Sequence, residues 1–444
     1  VKYVFSRFIA AILVLGILPA CGPQFESTEQ SGSTRVVSPW LTSQGEYSLQ
    51  TIELRGLYDL KTLSGQFARF VFGPKVVDGK LQGHSPKGRF IKNSQNEYVP
   101  VDDLTQQMVV LYAHMQKFAE LDEELGAGGV NTWPRDIGIA VRMKGGVKNN
   151  AFYDGKTDSM LFVPYTWDHL PISINGGILA HEHFHSLFYK LVIKGSLEEV
   201  IDRSSVHERE DIVLNDDELE ISEKALTKSF FGKRVLTNPE VVHKYHLETL
   251  TSGLNEGLAD FWGWVYSGDP DFIAMSIPIE KGERSLNLRA GDIYPNLPSQ
   301  KKMTNRIESF MRYGEPDYMK SYLKGPAYSL GTQISRFLKG FTEIRIRERE
   351  VSATQARKDV AKQIVSLLPQ LKEKLLLSSS DKYFRPIDFV VLFAQQTSNL
   401  LEAECNFIAS VLNNSEEFDG KQPYKCMQAT SWELSFEDSN SDEK

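Results

Sequence analysis

Short alternating runs of apolar residues crowd the first part of the chain, and long helical stripes fill its last third. Gln66 to Phe72 reads as a strand. Val76-Val77 and Lys80-Leu81 flank an Asp78-Gly79 turn, the pattern of a β-hairpin. Leu104, Met108, Leu111, Met115, Phe118 and Leu125 fall on one stripe, which predicts a helix over 103–125, ended by Gly126. Ile137, Ile139, Val141 and Met143 alternate and predict a half-buried strand. Asn149 to Gly155 reads as a short strand entering a turn, and Met160 to Val163 returns as another. Ile178, Leu179, Phe184, Leu187, Phe188 and Leu191 recur at helical spacing, with Asn175 as N-cap after Pro171. The polar stretch 195–245 reads as a surface insertion with some helix, and helical character resumes at 254–266. Tyr328 to Phe341, Val351 to Leu377 and Pro386 to Leu412 are the clearest helices of the last third. The expected class is α+β.

Composition narrows this picture. The 444 residues exceed one typical core, so two or three domains are expected. A net charge of -8 without a basic stretch argues against nucleic acid as a partner. No apolar run after residue 20 is long enough to span a bilayer. At the N-terminus, Lys2 and Arg7 precede an apolar run from Phe8 to Leu18, and Leu18-Pro19-Ala20-Cys21 closes the segment. This reads as a secretory signal over 1–21, and it resembles a bacterial lipoprotein signal with Cys21 as the lipid-modified residue, a plain signal peptide with an incidental Cys being the other reading. Gly22 after Cys21 implies, by that resemblance, an outer-membrane destination. Residues 22–46 read as a flexible tether and 433–444 as a disordered acidic tail. Between them lie an N-terminal α/β part over 47–192, the insertion over 193–250 and a helical C-terminal part over 251–432. With Cys21 used by lipid, Cys405 and Cys426 are expected as a disulfide in an oxidising compartment, two buried thiols being the other reading.

The chemistry concentrates in His181-Glu182-His183-Phe184-His185. On a helix, His181 and His185 share a face one turn apart. They can hold one zinc ion, with Glu182 beside it as general base. On this stretch alone a chance match is an equal reading. Downstream, Glu256 and Asp260 also share a helical face. Glu256 can supply a third ligand, and Asp260 can accept the free ring N–H of a ligand histidine. The competing reading is an exposed acidic pair. The neighbours Leu254, Leu258, Ala259, Phe261 and Trp262 argue instead for partial burial. His183 points away from that face and reads as a packed or exposed histidine.

His-Glu-x-x-His followed by Asn-Glu-x-x-x-Asp resembles the gluzincin zinc peptidases, nearest to their thermolysin and fungalysin branches. Asn149 to Gly155 is similar to the edge strand those enzymes carry about thirty residues before the zinc helix, with Asn150 and Ala151 at the positions that meet substrate backbone. Asn305 to Tyr328 resembles the segment from a substrate-binding arginine to a catalytic histidine. Arg306 matches the arginine. No histidine follows His246, and Tyr322 stands near the missing one; it resembles the catalytic tyrosine of the gluzincin aminopeptidases, whose phenol can donate to the oxyanion, with a packed or surface tyrosine as the competing reading. The stretch between His185 and Glu256 is far longer than in thermolysin, which the insertion explains. The resemblance implies a two-lobed zincin fold, with an N-terminal lobe carrying a twisted sheet, a mainly helical C-terminal lobe and the zinc helix at the cleft floor. It also implies a zinc-dependent endopeptidase acting on peptide or protein substrates at a membrane-anchored site. The Gly-x-Met-Glu-Asn run of the gluzincin aminopeptidases is absent, which favours internal cleavage. A catalytically inactive envelope lipoprotein of zincin fold, acting as a binding or structural module, is the alternative.

Overall fold

Strand pairing begins earlier in the chain than its polar composition suggests. Thr34–Leu41 (β1) lies inside the expected tether, yet it pairs antiparallel with Tyr47–Leu54 (β2) over its full length. Thr34, Val36 and Ser38 are buried, so tertiary pairing overrides a weak local pattern. The computed structural model describes residues 33–42, 45–143, 146, 148–166, 168–200, 212–213, 238–313, 319–418 and 423–434. The signal over 1–21 with Cys21, the start of the tether, most of the insertion and the tail beyond residue 434 lie outside the described residues.

Leu57–Asp59 (β3) and Ser64–Gly65 (β4) form a small ribbon. Ala68–Val77 (β5) and Lys80–His84 (β6) form the expected hairpin. Asp78 and Gly79 turn with φ of 51° and 69°, the double positive φ that Asp-Gly favours. Phe90–Lys92 (β7) and Tyr98–Pro100 (β8) complete a four-stranded sheet of order β2-β1-β8-β7. Helix α1 spans Asp103–Leu125, capped by the Asp102 side chain and ended by Gly126 at φ 84°. The strand expected from Ile137 to Met143 is interrupted. Arg135–Ile139 (β9) stops where Ala140 takes φ 61°, and Arg142–Met143 (β10) resumes.

Ala151–Asp154 (β11) and Ser159–Phe162 (β12) join a five-stranded sheet of order β11-β12-β9-β5-β6. The three inner strands run parallel, and β11 is an antiparallel edge. Helix α2 spans Gly176–Phe188 and is buried throughout. Asn175 caps it, accepting from the Gly177 and Ile178 N–H groups. Ser196–Val200 forms the short α3. Helix α4 spans Pro239–Ser267, capped by Asn238, so it begins within the stretch read as an insertion.

The remaining helices are α5 (Gln300–Tyr313), α6 (Met319–Arg349), α7 (Ala353–Leu377), α8 (Pro386–Gln396) and α9 (Glu402–Asn414). The helix expected over Pro386 to Leu412 is two, parted by a turn where Asn399 takes φ 56°. Cys405 and Cys426 are joined by a disulfide, with Cα atoms 5.0 Å apart. The chain is therefore mixed α/β, with its sheets in the N-terminal part and a helical C-terminal part. Among the described residues no helix is long and apolar enough to cross a membrane. One close approach fixes the helical layer. A Cβ built on Gly257 of α4 would lie 2.4 Å from Gly331 O of α6, so only glycine lets these backbones meet there.

Candidate metal centre

Helices α2 and α4 bring the sequence motifs together. His181 Nε2 and His185 Nε2 face each other at 3.0 Å, with their rings nearly perpendicular. Glu256 of α4 reaches both, its carboxylate oxygens 3.6 Å from His181 Nε2 and 3.8 Å from His185 Nε2. Glu182 Oε1 lies 4.0 Å from His181 Nε2. His181, Glu182 and His185 are buried and form a group able to hold a metal ion.

The outer nitrogens define how the imidazoles are poised. His185 Nδ1 lies 2.9 Å from Asn255 Oδ1. His181 Nδ1 lies 2.9 Å from Asp260 Oδ1, close enough for strong charge attraction although off the ideal N–H line. An acceptor beside each Nδ1 places the proton there and leaves each Nε2 with its lone pair. Burial, with His185 adding to it, holds His181 below the ordinary histidine value against the opposing pull of Asp260, which disfavours an imidazolium. Two lone pairs at 3.0 Å repel unless a cation sits between them. Bonds of about 2.0–2.1 Å at a tetrahedral angle set two nitrogen ligands roughly 3.3 Å apart, so the pair fits a zinc-sized ion with a small outward adjustment.

Arg284 braces the acidic side. Its guanidinium donates to Asp260 at 2.6 and 3.3 Å and to Glu256 at 3.1 Å. Burial alone would raise the Asp260 carboxyl, but Arg284, with His181, holds it below the usual carboxylate range. The same two carboxylates raise Arg284 against its own burial. The site opens into a pocket of about 80 Å³, lined among others by Asn150, Ala151, Arg284 and Tyr328. Asn150 and Ala151 lie in this lining at the head of the sheet edge β11.

Tyr322 and Arg306 do not line this pocket. Tyr322 stacks on Phe310 with centroids 4.1 Å apart, and Arg306 Nε donates to its hydroxyl at 3.3 Å. Six residues along a helix turn a side chain by roughly 240°, so Tyr322 and Tyr328 cannot share a face. Tyr328 lines the pocket instead, with Arg284 4.8 Å from its ring; Tyr153 also lines it, but its hydroxyl donates to Asp158 at 3.0 Å. Sequence reading also gave no role to Asn255, although it sits beside Glu256 in the same motif. Arg284 lies in a loop with no recognisable pattern. His183 is packed rather than exposed. Its Nε2 lies 2.9 Å from Asp122 Oδ1 on α1, and its ring stacks on Phe118. No protein-family model matches the chain, and no curated protein matches it.

Proposed function

We propose that the chain is a zinc-dependent endopeptidase of gluzincin type on a two-lobed zincin fold, held at a bacterial outer membrane through Cys21. One observation carries the reading. Two buried imidazole nitrogens and the Glu256 carboxylate converge, with Glu182 alongside, in a pocket that abuts a sheet edge. Two neutral imidazoles with one carboxylate form a donor set suited to zinc. Bound there, zinc would supply Lewis-acid polarisation of a water and of a scissile carbonyl.

The protein's own groups do the rest. Edge strand β11 pairs with an extended peptide as an added strand, with Asn150 and Ala151 holding the backbone in register. Glu182 takes a proton from water on its carboxylate and later releases it to the leaving amine. Tyr328, rather than Tyr322, donates its phenolic hydrogen to the developing oxyanion. Asp260 and Asn255 keep His181 and His185 in the orientation that presents Nε2.

The test is cleavage of an unfolded protein by the full chain, with and without a zinc chelator, beside its metal content. Chelator-sensitive cleavage at internal bonds is expected, and Glu182→Gln should keep the metal and lose turnover. Cleavage indifferent to the chelator, or turnover retained by Glu182→Gln, overturns the reading.

A further inference from the structure

Beside the metal pocket lies a second cavity of about 430 Å³. The two share Asn150, Ile277, Arg284 and Tyr328 as lining, so they form one continuous cleft. The charges around the second cavity do not cancel. Arg284 is met by Asp260 and Glu256, and Arg289 pairs with Glu283 at 3.3 Å. Arg336 is different. Only 2% of its surface is exposed, yet among the described residues its side chain makes one hydrogen bond, Nε to Ser285 O at 3.0 Å. Among the described residues no hydrogen bond or ion pair takes either Nη group. Burial, with Arg289 adding to it, lowers the guanidinium from its ordinary value, and Asp292 and Glu283 oppose this from beyond ion-pair distance. An arginine stays charged in such a place, and a buried charge without a partner is costly. The remaining acid of the cavity, Glu280, is only half-buried and partly screened by water.

The helix sets the spacing. Tyr328, Thr332 and Arg336 follow at four-residue steps on α6 and all line the cavity. Tyr328 and Arg336 are therefore about 12 Å apart along the axis, which an extended peptide at roughly 3.3 Å per residue covers in three to four residues. We infer that Arg336 forms an anion subsite of this cleft, taking a carboxylate of the peptide about three residues from the bond held at Tyr328. The two Nη groups suit a carboxylate's two oxygens. Both an acidic side chain and a C-terminus offer that group.

The inference rests on the peptidase reading for its substrate class, so the experiment separates the two. Quenched fluorescent peptides carry Glu or Gln three residues to either side of the cleaved bond. A second pair carries Gln throughout and ends three residues from the bond as a free acid or an amide. The zinc-loaded full chain is assayed for kcat/KM, and binding of the same peptides to Glu182→Gln is measured by calorimetry. One carboxylate peptide should exceed its amide partner roughly tenfold or more. That ratio should fall to about one in Arg336→Gln and persist in part in Arg336→Lys. A preference carried by the Glu pair assigns the side chain, and one carried by the acid and amide pair assigns the C-terminus. Equal rates and equal binding within every pair in the unmodified chain overturn the subsite, whether or not Arg336→Gln folds. So does an unchanged ratio in a folded Arg336→Gln. Arg336-dependent binding of carboxylate peptides without hydrolysis of any peptide sustains the subsite and removes the peptidase reading instead.

Discussion

His246, on α4 and about 15 Å along its axis from Glu256, offers a sharp test of the packing. It is fully buried, neither ring nitrogen has a hydrogen-bond partner among the described residues, and the ring meets Tyr383 edge-on with centroids 4.8 Å apart. Burial, with the nearby His243 adding to it, lowers its pKa from 6.5 to about 3. Between those values the unfolded chain binds a proton that the folded chain refuses. Stability is therefore complete above pH 6.5 and falls as the pH drops toward 3. At pH 5 this one ring removes about 2 kcal/mol of stability. His246→Leu deletes the effect. At pH 7, removing buried unpaired nitrogens gains about 1–3 kcal/mol, offset in part by the lost ring-edge packing of about 0.5–1.5 kcal/mol. The decisive quantity is the difference between pH 7 and pH 5, read from urea unfolding of both proteins. The variant should lose about 2 kcal/mol less across that interval than the unmodified chain. Equal losses in the two proteins would refute a neutral, buried His246.

Four further outcomes follow from the geometry. Asp260→Asn keeps the shape beside His181 but removes the charge, and should weaken metal affinity about 10- to 100-fold in competition with a chromophoric chelator. Tyr328→Phe should lower kcat by roughly 100- to 1000-fold, whereas Tyr322→Phe should leave it within about twofold; the reverse order would return the catalytic role to Tyr322. Gly257→Ala places a Cβ against the α6 backbone and should cost about 1–3 kcal/mol in denaturant unfolding. Replacing Cys405 and Cys426 by serine opens a loop spanning 21 positions and should lower stability by about 3 kcal/mol, seen as an earlier thermal midpoint.

The parts of the fold legible in the sequence are those whose cause is local. The Asp78-Gly79 turn, the Asp102 and Gly126 caps of α1 and the Asn175 cap of α2 each need only a few neighbouring residues. The metal group was legible for the same reason, because helical spacing alone puts His181 and His185 on one face and Glu256 and Asp260 on another. The meeting of these two faces is tertiary, yet the motif order conveyed it. What stayed hidden depends on contacts made far along the chain. β1 is a strand because β2 and β8 supply its partners. Arg284 comes from an irregular loop held by ion pairs to α4. Tyr328 and Tyr322 sit on one helix, and the packing of α6 against α4 at Gly331 and Gly257 decides which one lines the pocket. The break before α9 was open to view, since Asn399 is a residue type that tolerates positive φ.

His185 and Glu256 lie roughly seventy residues apart in the chain, much of the interval outside the described residues. Any ion held by both is therefore a cross-link that closes a long loop. Closure entropy grows only logarithmically, so doubling such a loop costs about 0.6 kcal/mol. An intervening segment can then lengthen or shorten with little penalty to the centre it spans. The stabilisation an ion confers depends instead on its concentration, reaching about 2.7 kcal/mol at a hundred times its dissociation constant. Were an ion held by both residues, thermal endurance would depend on the metal supply of the surroundings as well as on the core.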